Sequence, residues 1–173
     1  YPPVSGSCFK SIYLPDAFIL HPVIHTNSHQ ENDMSFYTDE GKTQIKNGLL
    51  DKEAEGWSQK LVRMQERGNR IDSRNSISSS QLRRFFNEFR SLEKRVNSAP
   101  VFETVLPLIK MVKSKVSYAA GRGTGQQIPE SFKSFLNQNI DRIQDKQDFN
   151  AFMLHFEAVV GYCYGVPGFA KSN

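Results

Sequence analysis

The sequence predicts an all-α fold, a small helical bundle of four to five helices preceded by an irregular N-terminal extension. Two observations carry this. From residue 77 onward, apolar residues recur at offsets of three and four through four successive stretches, the period of a helix with one buried face. Each stretch is bounded by capping or helix-breaking residues and joined to the next by a short polar connection, the pattern of neighbours in a bundle.

Residues 1–48 show no such period. Turn formers are scattered through them, at Pro2-Pro3, Pro15-Asp16, Pro22, Asn27-Ser28, Asn32-Asp33 and Gly41-Lys42. Two short apolar runs, Ile12 to Leu14 and Ala17 to Leu20, read either as strands or as extended segments packed on a neighbour. A first helical pattern covers residues 49–65, where Leu50, Ala54, Trp57, Leu61 and Met64 are three or four apart and Gly68-Asn69 supplies a stop. Residues 67–80 are mostly polar and read as a linker with a domain boundary inside it. The expected division is therefore an irregular extension over 1–48, a helix plus linker over 49–76, and a helical-bundle domain over 77–173.

Within that last part, Ser78-Ser79-Ser80-Gln81 matches a capping box, in which the Ser78 hydroxyl and the Gln81 side chain satisfy free amides at a helix start. Ile77 and Leu82 sit where a hydrophobic staple belongs. Leu82, Phe85, Phe86, Phe89, Leu92 and Val96 then form one stripe. A second helix is expected over 101–120, with Phe102, Val105, Leu106, Ile109, Val112, Val116 and Ala119 on its apolar face. Pro107 either kinks this helix or marks its true first turn, and the run Gly121 to Gly125 ends it. Pro129 suits the first position of a third helix, whose inner face is Phe132, Phe135, Leu136, Ile140 and Ile143. A fourth helix, over 148–164, carries a stripe of Phe149, Phe152, Met153, Phe156, Val159, Val160, Cys163 and Tyr164, broadened by Ala151, Leu154 and Ala158. A girth this apolar marks the central helix of a bundle. Gly165 ends it, and Pro167 blocks continuation.

Composition bounds the function. With 173 residues and 38% hydrophobic content, the chain can bury one sizeable core or a small domain with an appendage. Mean hydropathy is −0.51, and no stretch approaches the ~20 consecutive apolar residues of a membrane helix. Tyr1-Pro2-Pro3-Val4 does not open a signal peptide. A start on Tyr rather than Met reads as processing, trimming or the tail of a longer polypeptide. The only cysteines, Cys8 and Cys163, are read as reduced thiols of a cytoplasmic protein rather than a disulfide framework. Net charge is +4, and it is unevenly placed: residues 1–76 hold 9 Lys/Arg against 10 Asp/Glu, whereas residues 77–173 hold 13 against 8.

That surplus has a pattern. Arg83, Asn87, Arg90 and Lys94 fall at i, i+4, i+7 and i+11, lining one flank of the first bundle helix, and Arg84, Ser91 and Arg95 line the neighbouring strip. On the next helix Lys110 and Lys113 are expected opposite the apolar face, with Lys115 and Arg122 seven apart on a flank. Only Glu88, Glu93 and Glu103 oppose this group. Such rows suit a phosphate backbone, because each neutralised phosphate releases counterions. A merely solvated helix surface is the competing reading.

Other motifs carry less. The Gly121 to Gly125 run has no preceding strand and no following Lys-Ser/Thr, and it follows a helix C-terminus whose dipole repels phosphate; it reads as a cap and turn. His21, His25 and His29 recur every four residues, but Pro22 interrupts a helix there and no further ligands complete a metal set. His155 reads as a satisfied core or interface histidine. No nucleophile, base or carboxylate pair forms a catalytic constellation, and no cofactor or metal is expected.

Ser79-Ser80-Gln81-Leu82-Arg83-Arg84-Phe85-Phe86 resembles the opening helix of the small helical subunit of type III-A (Csm-type) CRISPR effector complexes. Leu106-Pro107-Leu108-Ile109-Lys110 and Lys115-Val116-Ser117-Tyr118-Ala119-Ala120-Gly121-Arg122 resemble that family's second helix and its ending, and residues 152–164 its closing helix. Order and spacing agree across residues 77–165. The resemblance implies a non-catalytic, all-α subunit, cytoplasmic in a prokaryote. Its partners would be CRISPR RNA and target RNA, held by the phosphate backbone without sequence preference, together with further copies and other subunits of the complex; no membrane is involved. Arg83, Arg84, Arg90, Lys94, Lys110, Lys113, Lys115 and Arg122 are the expected RNA contacts. It also implies a family domain starting near residue 75, with residues 1–74 as an addition, read as part of a fused neighbouring subunit in the manner of type III-D-like systems. The alternatives are a helical protein–protein scaffold without RNA contact and, more remotely, a nuclease built on His155 or the histidines of residues 21–29.

Overall fold

A computed structural model of the chain describes residues 35–66, 70–121 and 127–171. Among the described residues the regular structure is five α-helices: α1 (Lys52–Leu61), α2 (Ser79–Ser98), α3 (Leu106–Gly121), α4 (Glu130–Arg142) and α5 (Lys146–Gly165), with short 3₁₀ turns at Phe102–Thr104 and Phe169–Lys171. The runs Ile12 to Leu14 and Ala17 to Leu20, the three early histidines and the Gly68-Asn69 stop all lie outside the described residues.

The helix starts follow from local chemistry. Ser78 Oγ accepts the amide of Gln81 while the Gln81 side chain accepts the Ser78 amide, so both halves of the capping box form at α2. Asp145 caps α5 by accepting the Asp148 amide at 2.9 Å. Pro107 is the second residue of α3, where a missing N–H costs nothing, so it marks the first turn rather than a kink. The helix expected from residue 101 is accordingly a 3₁₀ turn followed by a shorter α3. Pro129 sits one position before α4, as its extended cap.

The stretch read as an interdomain linker is a reversal of the chain. α1 stops where Val62 turns extended, and the following backbone pairs antiparallel: Asp72 N donates to Arg63 O at 2.8 Å, Gln65 N to Arg70 O at 2.9 Å, and Ile77 N to Leu61 O at 2.9 Å. Ser76 Oγ adds a bond from the Arg63 amide. Leu61, Val62 and Ile77, on either side of the reversal, are buried in one core. Residues 31–173 form one compact unit.

That core is largely phenylalanine. Phe89, Phe132, Phe135, Phe149, Phe152 and Phe156 are completely buried. Phe156 of α5 is the hub, with ring centroids of Phe135 at 5.3 Å, Phe86 at 5.5 Å, Phe152 at 5.7 Å, Phe89 at 5.8 Å and Phe132 at 6.3 Å. α5 thus packs against α1 and α2 and receives rings from α4, the central position its wide stripe predicts. The stripe is narrower than expected at one place: Leu154 is 47% exposed.

Residues 35–48 are irregular but anchored. Phe36 is buried beneath the Arg142 guanidinium, 4.4 Å from its ring centroid. The Tyr37 hydroxyl donates to Gln147 O at 2.8 Å. Lys42 has φ +54°, unusual for a side chain with a Cβ. The Asp39 carboxylate steadies that turn by accepting the amides of Thr43 and Gln44.

Candidate nucleic-acid interface

The stripe of α2 faces inward, and the opposite face collects the cations. Arg83, Arg84, Arg90, Lys94 and Arg95 are all exposed, spread over a rise of about 18 Å at 1.5 Å per residue. Three of the arginines have neighbours that orient them. Arg83 Nη2 donates to the Tyr164 hydroxyl at 3.1 Å. The Arg84 guanidinium lies over the Phe85 ring at 5.4 Å. Arg90 pairs with Glu93 at 2.9 Å and lies over Phe86 at 5.7 Å. An exposed i,i+3 pair contributes little energy, so an anionic partner can compete for Arg90.

The lysines of α3 do not stand together. Residues 110 and 113 leave the helix on one side of its apolar stripe and residue 115 on the other, and α3 packs between α4 and α2. Lys110 Nζ donates to Ile140 O at 2.6 Å, a carbonyl that also accepts the Ile143 amide, and to Ile143 O at 3.1 Å, adding a side-chain donor at the end of α4. Burial holds its ammonium below the ordinary lysine range. Lys113 donates to both Asp141 oxygens, at 2.7 and 2.8 Å. These two expected RNA contacts are therefore bound into the α3–α4 contact. Lys115 faces α2 and pairs with Glu88. Arg122 lies outside the described residues.

The charge pattern missed an aromatic. Tyr118 is 70% exposed and shares its flank of α3 with Lys115 and with Met111, itself 52% exposed. Between α2 and α3, Arg84, Phe85, Glu88, Lys115, Tyr118 and Ala119 line an open cleft of about 250 Å³. The signal available in the sequence was angular: an aromatic off the apolar stripe of its helix. Elsewhere, Leu50 and Tyr162 border an apolar groove of about 690 Å³ between α1 and α5, with Ala158, Gly161 and Val166 also along it.

His155 is fully buried, with Nδ1 2.7 Å from the Leu49 carbonyl. A carbonyl only accepts, so Nδ1 carries the proton. Nε2 has no hydrogen-bond partner, and Glu53 Oε1 stands 4.0 Å away. Burial lowers the His155 pKa; the Leu49 bond and Glu53 oppose this, and Arg142 adds to it. Cys163 is buried as well, and desolvation pushes its thiol up to about 12. Among the described residues no three His, Cys, Asp or Glu side chains gather closely enough to hold a metal ion, and no helix is long and apolar enough to cross a membrane.

No curated protein and no solved structure matches the chain. The profile of the Csm2 Type III-A family matches residues 55–164, from within α1 to the last turn of α5. The family segment thus begins some twenty residues earlier than the resemblance of the individual motifs implies, because α1 belongs to the same core as the four helices that follow. The chain belongs to the Csm2 Type III-A family, the small subunit of type III-A CRISPR Csm complexes.

Proposed function

We propose that the chain is a non-catalytic small subunit that steadies guide and target RNA by their phosphate backbone, through the outward face of α2, while its remaining surface contacts other subunits of the complex and further copies of itself. The observation that carries this reading is the row Arg83, Arg84, Arg90, Lys94 and Arg95, opposed only by Glu88 and Glu93 along the same helix. Cations at helical spacing meet phosphates at many registers and read no base edge, so sequence choice is left to base pairing. The apolar groove between α1 and α5 supports the subunit contacts. With its free ring nitrogen closed off from solvent in the core, His155 is poorly placed to act as a nuclease base. A cytoplasmic, prokaryotic setting belongs to the same reading.

The test is RNA affinity as a function of salt. A face that neutralises three or four phosphates gives a log–log slope of about −2 to −3 on single-stranded RNA. Changing Arg83, Arg84, Arg90 and Lys94 together to Ala should flatten that slope. Weak binding that ignores both salt and the quadruple variant would leave a purely protein-binding scaffold in its place.

A further inference from the structure

We infer that the RNA path does not end with α2 but continues onto the reversal after α1, where Arg63 and Arg74 form a further seat for a backbone phosphate. The inference rests on the RNA-binding reading above and adds a place to it. The slightly acidic balance of residues 1–76 conceals this cluster, since residues 63–76 alone hold four arginines against one glutamate and one aspartate. Arg63, Arg74 and Asn75 line an open cleft of about 410 Å³ together with Ala120 of α3 and Glu130 and Ser131 of α4.

Two guanidiniums suit one phosphate, because each offers a planar fork of N–H donors and keeps its charge at any working pH. Both are exposed, and among the described residues no hydrogen bond or ion pair engages either one. Their backbone is held, which positions them in advance. The Arg63 amide donates to Ser76 Oγ at 2.8 Å, Arg63 O accepts the Asp72 amide at 2.8 Å, and the Arg74 amide donates to Asp72 Oδ1 at 3.1 Å. The nearby carboxylates are occupied. Asp72 accepts Asn75 Nδ2 at 2.7 Å as well as the Arg74 amide, and Glu130 pairs with Lys133 at 3.1 Å. The cleft also lies on the path. Ala120 lines it while Ala119 lines the cleft between α2 and α3 that Arg84 borders, so the last turn of α3 joins the two. A strand running along α2 toward its start passes from Arg84 over that turn to Arg63 and Arg74.

The experiment uses the full chain and a labelled 20-nucleotide single-stranded oligouridylate, titrated across salt. Arg63→Gln/Arg74→Gln removes both charges and leaves the backbone bonds, so its urea midpoint should match the parent's. Its salt slope should fall in magnitude by about 0.7, one phosphate's share on a single strand, or about fivefold in affinity at 0.1 M salt. A charge-matched control, Lys52→Gln/Lys146→Gln, removes two exposed cations from the starts of α1 and α5 and should leave the slope where it was. Equal effects of the two double variants would overturn the seat, since only net charge would then matter. An unchanged slope in Arg63→Gln/Arg74→Gln, with the quadruple α2 variant still flattening it, would overturn the seat and leave the phosphate reading of α2 intact. Inorganic phosphate that raises the urea midpoint of the parent but not of Arg63→Gln/Arg74→Gln, with RNA affinity equal in both, would make the cleft a site for free anions instead. A loss confined to self-association in sedimentation would make the two arginines a protein contact. A flat salt response of the parent chain would remove the seat and the underlying RNA reading together.

Discussion

Lys42 Nζ lies 2.7 Å from the Asp148 carboxylate, an ion pair that fastens the irregular segment before α1 to the first turn of α5. Asp148 is 5% exposed at its side chain, and Asp145, which caps the same helix, takes the other side of the ammonium. Burial works against the Lys42 ammonium, but its hydrogen bonds to the two carboxylates outweigh it and raise its pKa. Lys42→Asn tolerates the positive φ and lacks the ammonium, so it isolates the pair. It should destabilise the fold by about 1–3 kcal/mol in urea unfolding, since a nearly buried carboxylate loses its counter-charge.

Lys110 and Lys94 should separate stability from RNA binding. Lys110→Met removes the donor to the end of α4 and should cost about 1–2 kcal/mol, leaving the RNA salt slope where it was. Lys94→Ala should leave stability within about 0.5 kcal/mol and reduce the magnitude of the slope by about 0.7, one phosphate's share on a single strand. Denaturation and salt titration of the same two proteins check both.

Phe156→Ala should be among the most damaging changes in the bundle, because five rings lose their common neighbour. A loss of about 3–5 kcal/mol is expected, read from the denaturant midpoint. Phe156→Leu should cost less, as it leaves a smaller void.

His155 sets a pH dependence whose sign follows from its lowered pKa. Above its ordinary value of 6.5 the ring is neutral in both folded and unfolded chains, and its contribution is constant. Below 6.5 the unfolded chain takes up the proton first. Stability therefore falls with pH until the folded pKa is reached, by at most about 1.4 kcal/mol per unit. Unfolding midpoints between pH 7.5 and 5 should show the decline, and His155→Gln should reduce it. The contribution of Asp145, whose pKa is lowered, is lost only below the ordinary carboxylate value of 3.8 and lies outside that window.

Cys163 should be inert to thiol reagents in the native protein. It is completely buried, with its thiol pushed up to about 12, so the thiolate that reacts is scarce and out of reach. In a Cys8→Ser background, native labelling at pH 8 should be negligible and labelling in urea complete; rapid native labelling would show that α5 opens there.

The α2 and α4 stripes, the Ser78–Gln81 box and the central place of α5 were legible because each rests on short-range chemistry: a 3.6-residue period, a side chain reaching an amide three residues away, a girth too apolar for any place but the middle. The outward face of α2 was legible for the same reason, being the complement of its stripe. The reversal after α1 was not. A polar tip reads as a linker whether its flanks part company or, as here, pair backbone to backbone through Arg63 and Asp72.

The candidate site divides along the same line. Residue order alone determined that this is a bundle with a cationic second helix, since charge and period are properties of neighbours along the chain. Which cations remain for a partner was decided only in three dimensions. Lys110 and Lys113 differ from Lys115 by the side of α3 on which they emerge, and α4 lies on one side while α2 lies on the other. A helix's rotation about its own axis is set by what packs against it, and so was the capture of Lys110 by two carbonyls.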